Sequence, residues 1–300
     1  AVRSISDVDI TGNKVKRSGD EGIDVSGANT ADIIDNKVKN TDDNGIKVSD
    51  SSWVKIAENK VVNAGDDGID VDDVTSRRGF GWNVQITDNT VSNSGDDGID
   101  VADSRNVYIN GNVVTDSDSS GMELSDINIV VATNNEIYAS GQEGIDGDDI
   151  FSAFLGGNTI AGADSDGIEL DDVTFATLVG NTISDVDSDG IDVDDSFAVS
   201  VVDNTVEDAG DNGIELSDAV FAYVGDNRVK RSGDDGVDLD DINFATVENN
   251  RIRRSGDDGV DAEDVGVLFV RDNIIKNSDG NGVEVTGGDF ARINRNVITN

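Results

Sequence analysis

The chain has 300 residues, 63 acidic and 22 basic, for a formal net charge of −41 and a pI near 4.1. A surface of that sign repels phosphate, which excludes nucleic acid as a partner and disfavours anionic membranes. Cys, His and Pro are absent, which removes disulfides, thiolate sites, the commonest general base and the usual zinc ligand.

No apolar run approaches the roughly 18 residues of a membrane span, and no charged-then-apolar leader opens the chain. Low hydrophobicity with high net charge would ordinarily mean disorder. The periodicity says otherwise. Three short strands are predicted per repeat, and the first repeat shows all of them. A strand ends at Asn13, a second carries Val15, and a Ser-Gly turn leads to the third, Gly22-Ile23-Asp24-Val25.

The same order returns at Asn36, Asn59, Asn89, Asn112, Asn135, Asn158, Asn181, Asn204, Asn227, Asn250, Asn273 and Asn296. Every step is 23 residues except Asn59 to Asn89, which is 30, and a Gly stands nine residues after each of the first twelve Asn. Apolar residues alternate with polar ones, as in half-buried strands, and no stretch has helical spacing. One repeat cannot bury its apolar side, but stacked repeats can, with each strand pairing its equivalents about 4.8 Å above and below. About twelve rungs would give a rod of roughly 60 Å.

The repeated N-x-[VI]-x-x-S-G-D-D-G-[IV]-D-V resembles the right-handed parallel β-helix repeat of the pectin-lyase-like superfamily over essentially the whole chain. The resemblance implies an all-β, single-stranded parallel β-helix, its three sheets formed by the strand before each Asn, the strand after it and the Gly-Ile-Asp-Val strand. It also implies an internal Asn column in a tight turn. Function is left open, because that superfamily spans lyases, hydrolases, epimerases, tailspikes and adhesins. The expected organisation is one solenoid over 1–300, excerpted from a longer repeat protein or stacking end to end with other copies, with an inserted loop at 75–82.

The acidic columns are the candidate chemistry. Two residues after the Gly stand Asp70, Asp100, Asp146, Glu169, Asp192, Asp238 and Asp261 among eleven acids in twelve repeats, Lys47 being the exception. Three residues further on come Asp73, Asp103, Asp149, Asp172, Asp195, Asp241 and Asp264. The turns before Gly add Asp66, Asp67, Asp96, Asp97, Asp234, Asp235, Asp257 and Asp258. In register, like charges would lie about 5 Å apart, at a cost on the order of 3 kcal/mol per contact before screening. Divalent calcium, which takes six to eight oxygen ligands, is the expected compensation. A solvated halophilic face and partly protonated carboxylates are the alternatives.

The inserted loop reads TSRRGFGW. Its Arg77, Arg78, Phe80 and Trp82 are candidate ligand-binding residues for a sugar or carboxylate, against a surface insertion whose arginines pair with nearby Asp. The composition points to a secreted or cell-surface calcium-binding structural or adhesive rod. A polysaccharide-active enzyme (uronate lyase, glycoside hydrolase or epimerase) and a mineral- or cation-binding surface are the rivals. Against an enzyme stand the uniform repeat, which builds no cleft walls, and the lack of the His that polygalacturonase-like and epimerase-like signatures use.

Overall fold

In the computed structural model of the chain, residues 5–75 and 81–299 are described. The chain forms two compact units, Ala1–Ser152 and Ala153–Asn300. Each is a stack of three-stranded rungs, and no helix occurs among the described residues. Together the units carry about thirteen turns, against the twelve expected.

In the first unit, the first sheet runs from Ile5–Thr11 to Ile129–Thr133, the second from Lys14–Ser18 to Glu136–Ser140, and the third from Ile23–Ser26 to Ile145–Asp148. All pairings are parallel, and like residues sit on like. Ile23, Ile46, Ile69, Ile99, Met122 and Ile145 form one continuous row, as do Val15, Val38, Val61, Val91, Val114 and Ile137. The long rung leaves this register intact: Val54 pairs with Val84 and Ile69 with Ile99 across the insertion. Ile33, Ile46, Ile56, Ile69, Ile86 and Ile99 are fully buried, as expected for strands whose inward positions alternate with outward ones.

In the second unit the first two strands of the rungs run up to Phe290–Asn294 and Val297–Thr299. The third sheet keeps Ile168–Asp171, Ile191–Val193, Ile214–Ser217 and Asp238–Asp240, then thins to the single bridges Asp240 to Glu263 and Glu263 to Thr286.

Two sequence columns now have physical causes. The Asn column is buried and hydrogen-bonded from rung to rung. The backbone N–H and Nδ2 of Asn36 both donate to Asn59 Oδ1, at 2.9 and 3.1 Å, and Asn59 Nδ2 donates to Ile33 O at 2.8 Å. The Asn itself is not left-handed. The residue before it is, as at Asp35 (φ 53), Asp88 (φ 56) and Asp203 (φ 55). The Gly column is a close approach: a Cβ on Gly98 would lie 2.2 Å from Val114 Cγ1 and 2.6 Å from Gly121 O, so no side chain fits.

Candidate metal-binding face

The third sheet and the turn leading into it carry three acidic columns, and the structure gives each a different environment. The residue before the repeat Gly lies in a second buried ladder. In the first unit Asp67 N–H donates to Asn44 Oδ1 (2.9 Å), Asp97 N–H to Asp67 Oδ1 (3.0 Å) and Ser120 N–H to Asp97 Oδ1 (2.8 Å). In the second unit Asp189 N–H donates to Asp166 Oδ1 (2.6 Å), Asn212 N–H to Asp189 Oδ1 (2.5 Å), Asp235 N–H to Asn212 Oδ1 (2.9 Å) and Asp258 N–H to Asp235 Oδ1 (2.6 Å). Sequence reasoning placed Asp67, Asp97, Asp235 and Asp258 in the turns before Gly as candidate metal ligands and missed this ladder. Its signal was the Asn or Ser that shares the column at Asn44, Ser120 and Asn212.

Beside the ladder runs the column two residues after Gly. Asp70 is buried, receives Asn44 Nδ2 at 2.7 Å and pairs with Lys47 Nζ, while Asp100, Asp146, Asp192 and Asp238 are half-buried. Lys47, the one break in this column, is therefore an internal counter-ion. The Asp70 carboxylate pushes the pKa of Lys47 up.

Crowding of carboxyls away from water makes them hold protons. In the first unit burial raises Asp67 to about 7, with Asp66, Asp70 and Asp96 adding repulsion. Burial raises Asp97 to about 9, reinforced by a hydrogen bond to the Glu123 carboxyl. Burial also raises Asp100 to about 8 and Asp146 to about 6, with neighbouring carboxylates adding to each. The second unit repeats the pattern, with burial first and neighbouring carboxylates second: Asp189 about 8, Asp192 about 7, Asp235 about 7 and Asp238 about 6. One carboxyl oxygen of Asp100, Oδ1, is buried without a hydrogen-bond partner.

The third column is exposed and left-handed. Asp73 (φ 56), Asp103 (φ 44), Asp149 (φ 51), Asp172 (φ 51), Asp195 (φ 47), Asp241 (φ 48) and Asp264 (φ 47) all turn a corner with positive φ. Asp and Asn tolerate that conformation better than most residues, and Gly27 and Gly287 fill the end positions of the same column. Corner geometry thus accounts for a residue of the Asp, Asn or Gly type there, though not for the choice of Asp over Asn.

Within the first unit the structure brings carboxylates together in groups that include three on this face and its turns. Asp66, Asp67 and Asp96 each place a carboxylate oxygen within 4.8 Å of the others, as do Asp72, Asp73 and Asp103, and Asp20, Glu21 and Asp43. Asp72, Asp20, Glu21 and Asp43 were not singled out from sequence. The donors are oxygens without imidazole or thiolate, which suits a hard cation such as calcium. Of the loop residues, Trp82 stacks on Tyr108 with ring centroids 5.5 Å apart, whereas Arg77, Arg78 and Phe80 lie outside the described residues.

Sequence reasoning also missed an aromatic row in the second unit. Phe175, Phe197, Phe221 and Phe244 are all exposed, with successive ring centroids 5.7, 5.6 and 5.4 Å apart. Phe175, Phe221 and Phe244 border a groove of about 340 Å³ that no charged side chain lines. The signal was phenylalanine returning at close to the repeat length.

This architecture is a parallel β-helix, and comparison with known proteins gives its family. The chain belongs to the right-handed β-helix family, whose model (right handed beta helix region) matches residues 1–77 and 74–229. A second family model, periplasmic copper-binding protein (NosD), matches residues 166–300. Among curated proteins the chain finds no match in sequence.

Solved structures share the fold at low identity. The catalytic unit of a GH87 α-1,3-glucanase from Streptomyces thermodiastaticus is 13% identical with a TM-score of 0.61, the match covering 97% of this chain and 64% of that one. The A-module of the mannuronan C-5 epimerase AlgE6 from Azotobacter vinelandii is 15% identical with a TM-score of 0.64, covering 98% and 91%. Tailspike protein 2 of bacteriophage CBA120 is 12% identical with a TM-score of 0.55, covering 95% and 48%. The chain thus spans less than two thirds of the glucanase it matches. Copper does not suit the donors here: the sequence has no His or Cys, and its one Met, Met122, is fully buried among core isoleucines.

Proposed function

We propose that the chain is a calcium-binding structural or adhesive β-helix of a secreted or cell-surface protein. One observation carries the reading. A ladder of buried carboxyls runs beside a column of half-buried ones, crowded enough to lift Asp67, Asp97 and Asp100 to between about 7 and 9. Such a face at neutral pH either takes up protons or recruits cations. Calcium is the cation whose oxygen preference and flexible coordination match the side chains present. The family name that matches residues 166–300, a periplasmic protein, supports a location outside the cytoplasm.

A polysaccharide-active enzyme is the second reading, supported by the glucanase and epimerase among the structural relatives. A carboxyl that holds its proton beside a second carboxyl, as Asp97 does beside Glu123, is the arrangement that glycoside hydrolysis uses. Asp189, however, is raised in the same way beside Glu215 in the other unit. A catalytic centre is a local departure from a repeat, and this pairing is part of the repeat.

Thermal unfolding by circular dichroism tests the proposal in millimolar calcium, in excess chelator and in chelator with molar NaCl. Calcium sites predict a midpoint that collapses in chelator and is not restored by NaCl. A midpoint indifferent to calcium and rescued by NaCl overturns the calcium reading in favour of a halophilic face.

A further inference from the structure

The second sheet of the first unit carries the opposite charge. Lys14, Lys37 and Lys60 are in register on successive strands, and Lys16 sits on Lys39 in the next outward row. These are five of the chain's nine lysines. All five are exposed, and none makes an ion pair among the described residues. With Val15, Val38 and Val62 they line a groove of about 300 Å³. Stacked like charges repel, a cost that an anionic partner laid along the rows would relieve.

The geometry points to a second copy of this chain as that partner: the lysine rows of one molecule dock along the acidic column of another, at Asp100, Glu123 and Asp146. Two features favour that occupant. The lysine rows and the acidic column both advance by one residue per strand of a parallel sheet, at a common step of about 4.8 Å, so their charges match without drift. The contact also exists in miniature inside the chain, where Lys47 reaches the Asp70 carboxylate of the next rung in the same column. Because the two faces differ, the contact is head-to-tail in kind, and repetition extends it into a filament or layer.

The net charge of −41 gives the association a signature. At about 10 mM salt, charge is felt across roughly 30 Å and whole-molecule repulsion keeps copies apart. Near 0.15 M the reach falls to about 8 Å and only the facing rows are felt, while about 1 M salt screens those too. Sedimentation of the full chain in chelator therefore gives its largest mass near 0.15 M and monomer at both extremes. Working in chelator keeps this result separate from the calcium proposal, which it neither needs nor tests.

The double variant Lys37→Glu, Lys39→Glu is expected to stay monomeric throughout with an unchanged circular dichroism spectrum, and Lys37→Gln to weaken association about tenfold. Lys37→Arg is expected to associate like the parent. Carbodiimide cross-linking of mixed light and heavy-isotope copies is expected to join Lys37 or Lys39 to Asp100, Glu123 or Asp146 between molecules. A chain monomeric at every salt, a glutamate variant that associates like the parent, or cross-links confined to other acids would overturn the proposal. So would a monomeric chain whose lysine rows bind only an added linear polyuronate.

Discussion

Replacing Asp97 by Asn tests the physical basis of the acidic face in one step. The amide keeps the ladder, because Oδ1 still accepts the Ser120 N–H, now 2.8 Å away. It also gains a donor aimed at the neighbouring column. Where the ladder already holds Asn, that donor is used: Asn44 Nδ2 lies 2.7 Å from Asp70 Oδ2 and Asn212 Nδ2 lies 2.7 Å from Glu215 Oε2. Asp97 holds its proton to about pH 9 when folded, against 3.8 for the free side chain. At pH 7 the proton taken up on folding costs up to about 4 kcal/mol, at 1.36 kcal/mol per pH unit. The proton is shared with Glu123 and water reaches the pair, which roughly halves that figure.

The variant should therefore be more stable by about 2 kcal/mol in chelator at pH 7, raising the midpoint by roughly 5 °C. Below about pH 3 the proton-linked part vanishes, since both states then bind the proton. If calcium uses Asp97, the same variant also shows a smaller rise in midpoint on adding calcium. A lower midpoint in chelator at pH 7 would refute the reasoning, because it would show that the Asp97 carboxylate is stabilised, not strained, in the folded chain.

The parent chain in chelator should lose stability steadily as pH rises from about 4 to about 9. Its raised carboxyls (Asp97, Asp100, Asp189 and others) bind protons more tightly when folded, so their contribution is complete below the unfolded value and gone above the folded one. Midpoints read against pH check this, and saturating calcium should flatten the slope. Asn112→Ala should cost about 3–6 kcal/mol in a denaturant titration, because it strips partners from Ile86 O and from the Asn89 N–H and Nδ2, each worth about 1–3 kcal/mol when buried and unpaired. Asp103→Gly relieves a left-handed corner (φ 44), so the chelator midpoint should hold or rise by the equivalent of up to about 1 kcal/mol. A reduced calcium increment in that variant would show that the carboxylate of the Asp72, Asp73 and Asp103 group does more than turn the chain.

The fold was legible because its signals are periodic and local. An Asn every 23 residues, a Gly nine later and alternating Val and Ile each report one backbone requirement, and the rung-to-rung register then follows from repetition. The acidic face was legible only as columns. Asp67 and Asp70 read alike in the sequence, yet one accepts a backbone N–H within a buried ladder and the other pairs with Lys47. Whether a turn carboxylate is buried depends on the path of the next rung, which no single repeat records. Phe175, Phe197, Phe221 and Phe244 escaped notice for a related reason: Phe197 stands one residue before the register position, which Ala198 holds, and only its side-chain packing brings it into the row.

Three neighbouring columns of acid thus stand in three different environments, and the backbone accounts for them to different degrees. The corner acids at Asp103, Asp195 and Asp241 satisfy a left-handed backbone, and their charge is incidental to that duty. In the ladder a carboxyl oxygen is needed as an acceptor, but Asn at Asn44 and Asn212 meets the need without charge. The Asp at Asp67, Asp97 and Asp189 therefore carries a charge that the ladder does not require and that burial penalises. The acids two residues after Gly compound the penalty by standing beside them. The left-handed backbone explains why the corners take Asp, Asn or Gly; it does not cover an Asp where Asn fits and is less strained. The excess charge of the ladder and its neighbour is what the proposed calcium would offset, and the Asp72, Asp73 and Asp103 group extends that proposal to a corner.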